Sequence, residues 1–392
     1  MTVETIVGLA ARGDGVTETG RFVPFTAPGD RVLGDADISP GPHRRKPPCR
    51  HFPECGGCQL QHVDDQAYAQ FLVDRIISAL AAQGVAAPEI QAPHISPPRS
   101  RRRASLHYER GGRLGFHAQA SHRVIDMREC HVVRPELFDL VGSLRELLGR
   151  LGARTGAGAR LTLCDQGVDL LLDKVDADGL AAAEALSEFA SRHRLARLAL
   201  DDGYGPQVRW EPEAVTATLA GVAVPLPTAS FLQATAEGEA VLVAAVREAV
   251  GGGRLVADLF AGLGTFAFAQ EGRILAAEGG RDAVLAMKAG AARSGRTVFA
   301  DHRDLFRRPL SRAELDRFEA VVLDPPRAGA REQAAELARS SVPRLAYVSC
   351  NPSTFARDAK TLVDGGYRLR RILPVGQFRW STHVELAAAF ER

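Results

Sequence analysis

The chain lacks any apolar run approaching the roughly 20 residues that cross a bilayer. Its most hydrophobic stretch, Ala240 to Val246, is cut by Arg247. The N-terminus opens Met1-Thr2-Val3-Glu4, with no basic segment leading into an apolar one. A membrane-spanning protein is therefore not expected and neither is a secretory signal, so a cytoplasmic protein is. Lysine is scarce: Lys46, Lys174, Lys288 and Lys360 are the four, and the other basic residues are arginine. That bias accompanies abundant Ala and Gly and carries no functional weight by itself. Charge of one sign is also missing, because 49 basic residues meet 47 acidic ones for a net +2, which neither demands nor excludes a nucleic-acid partner. Six cysteines are too few for a disulfide scaffold in a chain of 392 residues, so their spacing matters more than their number.

What is present is ordinary globular composition, with 45% hydrophobic and 24% charged residues, enough for two to four domains at roughly 100 to 200 residues each. Three segments differ in character. Residues 1–40 hold short β-prone pieces, Thr5 to Ala10, Arg21 to Phe25 and Asp30 to Leu33, punctuated by glycines. This opening unit is acidic: Arg12, Arg21 and Arg31 face Glu4, Asp14, Glu18, Asp30, Asp35 and Asp37. A linker with four prolines, Ser39 to Pro48, ends it. Residues 41–230 form a mixed α+β domain with a helix expected over Asp64 to Gln83, strands near Ala104 to Glu109 and Arg113 to His117, and a helix over Pro135 to Leu151. Residues 231–392 alternate strand and helix. Strands are expected at Arg254 to Phe260, Arg273 to Glu278, Thr297 to Asp301, Glu319 to Asp324, Arg344 to Cys350, Arg368 to Val375 and Val384 to Phe390. This is the pattern of a doubly wound, Rossmann-like parallel α/β sheet covered on both faces.

Chemistry concentrates at the ends of these strands. Asp258-Leu259-Phe260-Ala261-Gly262-Leu263-Gly264-Thr265 closes the first strand and is expected to open a helix, whose unpaired N–H groups would face a ligand brought close by Gly262 and Gly264. A tight turn is the bland alternative. Glu278 stands twenty residues after Asp258, where a carboxylate can accept both hydroxyls of a ribose. The incomplete glycine fingerprint favours S-adenosylmethionine over NAD. Asp324-Pro325-Pro326-Arg327 ends the fourth strand, where ligands of such sheets lie, although a rigid turn would look the same. Cys350 ends the fifth, within Ser349-Cys350-Asn351-Pro352-Ser353-Thr354. Most lone strand cysteines are inert and buried. This one shares a sheet edge with the cofactor loop and precedes a helix start, a setting that can lower a thiol pKa. Glu385, in His383-Val384-Glu385, brings a carboxylate to the same edge. A thiolate and a carboxylate beside a methyl donor fit addition to C6 of uracil, methylation at C5 and removal of the C5 proton.

From Cys49 to Glu385 the sequence resembles the RNA uracil-C5 methyltransferases, most closely the iron-sulfur branch that modifies large-subunit ribosomal RNA. The resemblance implies S-adenosylmethionine contacts at Gln233, Phe260, Thr265, Glu278, Asp304 and Asp324 beside the glycine pair Gly262 and Gly264, a nucleophile at Cys350 and a base at Glu385. Thr265 stands where relatives carry Asn, Gln233 is followed by Ala234-Thr235 rather than Val-Asn, and Gly376 to Ser381 replaces the family's Asp-Met-Phe-Pro-His-Thr.

A second constellation is Cys49, Cys55 and Cys58 within ten residues, with Cys130 far downstream. Zinc and an iron-sulfur cluster are both open to such thiols, and three close cysteines plus one distant fit a cube. The resemblance favours [4Fe-4S], in a structural or RNA-docking role since the methyl transfer needs no electron. Cys164 lies outside both groups and is expected to be structural. The opening unit resembles a shortened TRAM domain, an OB-like barrel. For RNA, the candidates are Arg44, Arg45, Lys46 and Arg50, then Arg101, Arg102 and Arg103 with Arg99, all flanking the cysteines. Phe231 is the candidate aromatic face for a uracil drawn from its stack. A monomer is expected, producing 5-methyluridine in RNA. Three alternatives stand beside it: transfer RNA as substrate, amino methylation of adenine or guanine, in which Cys350 and Glu385 would be idle, and a non-enzymatic RNA-binding iron-sulfur sensor.

Overall fold

The computed structural model describes residues 3–34 and 37–392. Asp35, counted above among the acidic residues, lies outside them, as do Met1 and Thr2. The chain forms two compact units, one of Met1–Phe71, Ser96–Val215 and Phe378–Thr382, the other of Leu72–Ile95, Thr216–Gln377 and His383–Arg392.

The first unit contains two sheets. Val3–Leu9, flanked by Gly15–Thr17 and Arg31–Leu33, centres a five-stranded antiparallel sheet around Ile6, Val23 and Val32. Asp30 is buried and accepts hydrogen bonds from the amides of Ala27 and Gly41, both at 2.7 Å, and from Arg44, which ties the proline-rich linker back onto the sheet. The second sheet has six strands and packs helices on a leucine-rich core that includes Leu106, Leu144, Leu161, Leu170 and Leu198. Its one parallel pair, Gly167–Asp173 with Arg197–Asp201, is joined through the helix Leu180–Arg192, the crossover that parallel neighbours need. The helix expected over Pro135 to Leu151 is interrupted at Asp139 into Pro135–Phe138 and Leu140–Arg150. Asp139 keeps right-handed geometry, so the ladder loosens there without turning. The helix expected from Asp64 spans Asp65–Ala82.

The second unit holds a large sheet whose principal strands are β1 (Leu255–Leu259), β2 (Arg273–Glu278), β3 (Val298–His302), β4 (Ala320–Leu323), β5 (Arg344–Ser349), β6 (Arg368–Gly376) and β7 (Glu385–Glu391). Their order is β3-β2-β1-β4-β5-β7-β6, with the short strands Glu89–Ile90 and His94–Ile95 pairing alongside β6. The helices α1 (Ala236–Val250), α2 (Arg281–Ser294), α3 (Arg331–Arg339) and α4 (Pro352–Asp364) belong to the same unit. Every residue of β4 is buried, as a central strand covered on both faces requires. After β1 the chain winds outward through β2 and β3, then returns to β4 on the other side, leaving a crevice at the carboxyl ends of β1 and β4.

Two expectations are corrected here. β7 runs antiparallel to both β5 and β6, so the sheet is not wholly parallel. Only Gln377 to Val384 separates β6 from β7, which is shorter than the dozen or more residues of a parallel crossover. The glycine loop also opens no helix: residues 262–269 form turns. Phe268 N donates to Gly264 O four residues back but Ala269 N to Phe266 O three back, so no regular ladder propagates.

Candidate active site

The crevice is a cavity of about 610 Å³. Gly262 borders it, held in the left-handed region at φ 57°. Phe260 shares that strained backbone at φ 62° and sets its ring 5.2 Å from that of Phe306. Thr265 lines the same wall. Glu278, at the tip of β2, accepts hydrogen bonds from Gly262 N at 2.9 Å and Gly280 N at 2.6 Å, so its carboxylate is oriented by the loop it faces. Asp304 also lines the cavity and is held by the amides of Phe306 and Arg307, at 3.0 and 3.3 Å. Gly264 does not border it. A Cβ there would lie 2.7 Å from the Phe268 ring, which makes it a packing glycine and not a ligand-facing one.

On the opposite wall stand Asp324, Cys350 and Glu385, with Gln233 and the exposed Phe231. Burial, reinforced by Glu385, Asp258 and Glu278, pushes the Asp324 carboxyl well above the usual range. Cys350 is corrected in one respect: its thiol is raised, not lowered. Burial is the main cause, Glu385 and Asp324 add to it, and Arg327 opposes them. The helix start behind Cys350 serves the loop: Asn351 Nδ2 and Thr354 Oγ1 both donate to Arg327 O, at 3.0 and 3.1 Å, and lock the Asp324 to Arg327 turn onto α4. Arg327 in turn meets His383 Nδ1 at 2.9 Å.

In the first unit, Cys49, Cys55, Cys58 and Cys130 line a single small cavity. Gly56 allows this, since a Cβ there would meet His117 O at 2.9 Å, and its amide donates to that same oxygen. Gln61 accepts from Cys49 N at 3.2 Å, and Trp380 packs with Cys58 and Val132. Burial pushes the thiols of Cys49 and Cys55 up and that of Cys58 to about 12. Among the described residues no three His, Cys, Asp or Glu side chains converge closely enough to hold a single metal ion.

A family model described as tRNA (Uracil-5-)-methyltransferase matches residues 287–392. The chain is 50% identical, over the full length of both proteins, to an uncharacterized RNA methyltransferase of Zymomonas mobilis. It is 32% identical to the 23S rRNA (uracil(1939)-C(5))-methyltransferase RlmD of Halomonas elongata, across 97% of this chain and 87% of that one. The chain belongs to the RNA uracil-C5 methyltransferase family. Its fold matches the Pyrococcus abyssi tRNA (uracil-54, C5)-methyltransferase solved with S-adenosyl-L-homocysteine, with a TM-score of 0.77 at 22% identity over 99% of this chain and all of that one.

In this methyltransferase the arginines chosen from sequence are distributed differently from a free basic face. Arg101 lines the cysteine cavity, with its guanidinium 5.0 Å from the Phe378 ring and Nε donating to Arg103 O. Arg102 and Arg103 flank it on the strand entry. Arg44 is committed to Asp30, Arg45 pairs with Asp64 at 3.3 Å and Arg50 with Glu129 at 3.6 Å. Cys164 stands apart from the four cavity cysteines and donates to Gly167 O across a hairpin turn. One neighbour of these side chains escaped the sequence: Gln377, fully buried, bonds to Glu385 and to Gln233. A lone glutamine after a strand carries no periodicity, so only the fold could reveal it.

Proposed function

We propose that this methyltransferase transfers the methyl group of S-adenosylmethionine to C5 of a specific uridine in RNA, leaving 5-methyluridine, and that its substrate is large-subunit ribosomal RNA. The observation carrying the chemistry is that Cys350 and Glu385 line the same cavity as Phe260, Gly262, Thr265, Glu278, Asp304 and Asp324. The full-length similarity to a protein named for a 23S rRNA uracil supports the substrate. Transfer RNA is the second reading, favoured by the description of the matching family model. Glu278 would hold the ribose, with Gln233, Asp304 and Asp324 orienting the rest of the donor, and the bound sulfonium supplies an electrophilic methyl. As the thiolate, Cys350 Sγ forms a bond to C6 of uracil, placing electron density at C5, which takes the methyl as the donor's S–CH3 bond breaks and S-adenosylhomocysteine is left. Glu385 then removes the C5 proton, the Sγ–C6 bond breaks and C5=C6 is restored. Phe231, exposed at the mouth, would stack a base drawn from its helix.

In the same proposal Cys49, Cys55, Cys58 and Cys130 hold a [4Fe-4S] cluster. What supports this reading is the donor set: four buried or half-buried thiols line one small cavity, the ligand type and number that a cube takes. It would supply structure, not electrons.

The mechanism is tested with RNA carrying 5-fluorouridine at the target. Fluorine cannot leave as a proton does, so a methylated covalent complex should accumulate, and Cys350→Ala should abolish it together with turnover. Glu385→Gln should form the adduct on unmodified RNA but release it about 10²- to 10⁴-fold more slowly. Methylation retained by Cys350→Ala, or found on an exocyclic nitrogen, overturns the uracil assignment. Mapping 5-methyluridine in RNA from cells lacking the protein decides the substrate: loss from ribosomal RNA is expected, and loss from transfer RNA instead favours the second reading.

A further inference from the structure

Gln377 is the last residue before the chain leaves the second unit, and its carboxamide is fully engaged. Its Oε1 accepts from Thr235 N at 3.1 Å, while Nε2 donates to Gln233 Oε1 at 2.8 Å and to Glu385 Oε2. The first of these bonds decides the other two. A backbone N–H can only donate, so Oε1 must face Thr235, and both hydrogens of Nε2 are thereby turned toward Gln233 and Glu385. Thr235 is itself tied to the helix, because it is the N-cap of α1 and its hydroxyl accepts from Gly238 N at 3.0 Å. Space for the carboxamide is reserved by Gly238. A Cβ on that residue would come within 2.4 Å of Gln377 Cγ and 2.7 Å of Cδ, and its φ lies outside the left-handed region, so room and not backbone freedom explains the glycine.

We propose that Gln377 is a positioning residue for the base: its carboxamide clamps the Glu385 carboxylate and ties it to Gln233 on the cofactor side of the same cavity. A buried carboxylate that must take a proton from one carbon needs a fixed oxygen, and a charge-assisted bond from a locked N–H donor fixes it. The clamp therefore acts on the elimination step and leaves thiol addition alone. This inference rests on the assignment of Glu385 as the base.

Gln377→Leu removes the donors while keeping similar bulk, and Gly238→Ala displaces the amide, together with the Thr235 hydroxyl 2.7 Å from the new Cβ, while keeping the carboxamide's chemistry intact. Each should leave the KM for RNA within about 2-fold, lower kcat about 10- to 100-fold, as loss of alignment does, and accumulate the methylated adduct on unmodified RNA. The rate of adduct formation on 5-fluorouridine RNA should be unchanged in both. A purely structural role would slow addition and elimination alike, and that result overturns the proposal even where one variant folds poorly, since the second is read independently. Wild-type release by both variants, with adduct trapped by Glu385→Gln, also overturns it while sparing the base assignment. Wild-type release by Glu385→Gln itself refutes the base assignment instead.

Discussion

Asp258 places a carboxyl in the core of the second unit. It is fully buried with no side-chain partner among the described residues, and burial, reinforced by Glu278 and opposed by the backbone amide of Ala267, pushes its carboxyl from the ordinary 3.8 up to about 8. The sign of its effect on stability follows from proton binding. Between about pH 4 and pH 8 the unfolded chain has lost this proton and the folded one keeps it, so raising the pH favours unfolding, at about 1.4 kcal/mol per pH unit over that window for an isolated group. Below pH 4 both states are protonated, and above pH 8 both are ionised, so the dependence flattens at each end. Asp258→Asn removes the titration and keeps the shape. Its stability relative to wild type, followed by urea unfolding, should therefore rise steadily from pH 5 to pH 8. A constant difference across that range would mean that the carboxyl is ionised in the folded protein. The sequence marks Asp258 as the start of a loop motif, but its burial is a property of packing and could not be read from spacing.

At the scale of elements, the two glycines of the loop part company. Gly262 lies at φ 57° with open space where a Cβ would go, so Gly262→Ala should cost only the left-handed penalty, about 1–2 kcal/mol, and express itself as weaker cofactor binding at the cavity wall. Gly264 lies at φ 94° against the Phe268 ring, so Gly264→Ala adds overpacking of about 1–3 kcal/mol. Chemical denaturation should rank Gly264→Ala clearly below Gly262→Ala, and equal midpoints would refute the distinction. Much of the sheet was legible because β-branched and apolar runs are cut by turn residues: β2 is found at Arg273–Glu278 as expected, and β5 ends one residue early. The direction of β7 was not, since a strand's own pattern says nothing about its partner's polarity, and only the short link after Gly376 does. The pairs Glu89–Ile90 and His94–Ile95 were missed because two residues make no period. Site residues at strand ends were legible for the converse reason, that topology brings all carboxyl ends of parallel strands to one edge.

For the whole molecule, composition suggests breaks near residues 40 and 230, whereas the compact units interleave: Leu72–Ile95 joins the methyltransferase sheet and Phe378–Thr382 joins the unit with the cysteines. Within that unit Trp380 O accepts from both Gln59 N and Leu60 N at 2.8 Å, and Tyr68 Oη donates to Phe378 O and Ser381 O, so five residues remote in sequence complete the wall behind Cys58. A cluster bound there would be folding free energy for this unit, because its thiolates have no comparable site in the unfolded chain. Protein purified without oxygen should be brown and contain iron. Cys49→Ser, Cys55→Ser, Cys58→Ser and Cys130→Ser should each lose the iron and accelerate hydrogen exchange in the strands of the first unit, with β1, β4 and β5 retaining their protection. Cys164 belongs to that unit too and is half-buried, yet it bonds only across its own hairpin among the contacts described, so Cys164→Ser should keep both iron and protection. Stoichiometric zinc in place of iron would refute the cluster, and a Cys164→Ser variant as labile as the other four would refute the choice of ligands, since burial of a thiol rather than ligation would then explain every loss.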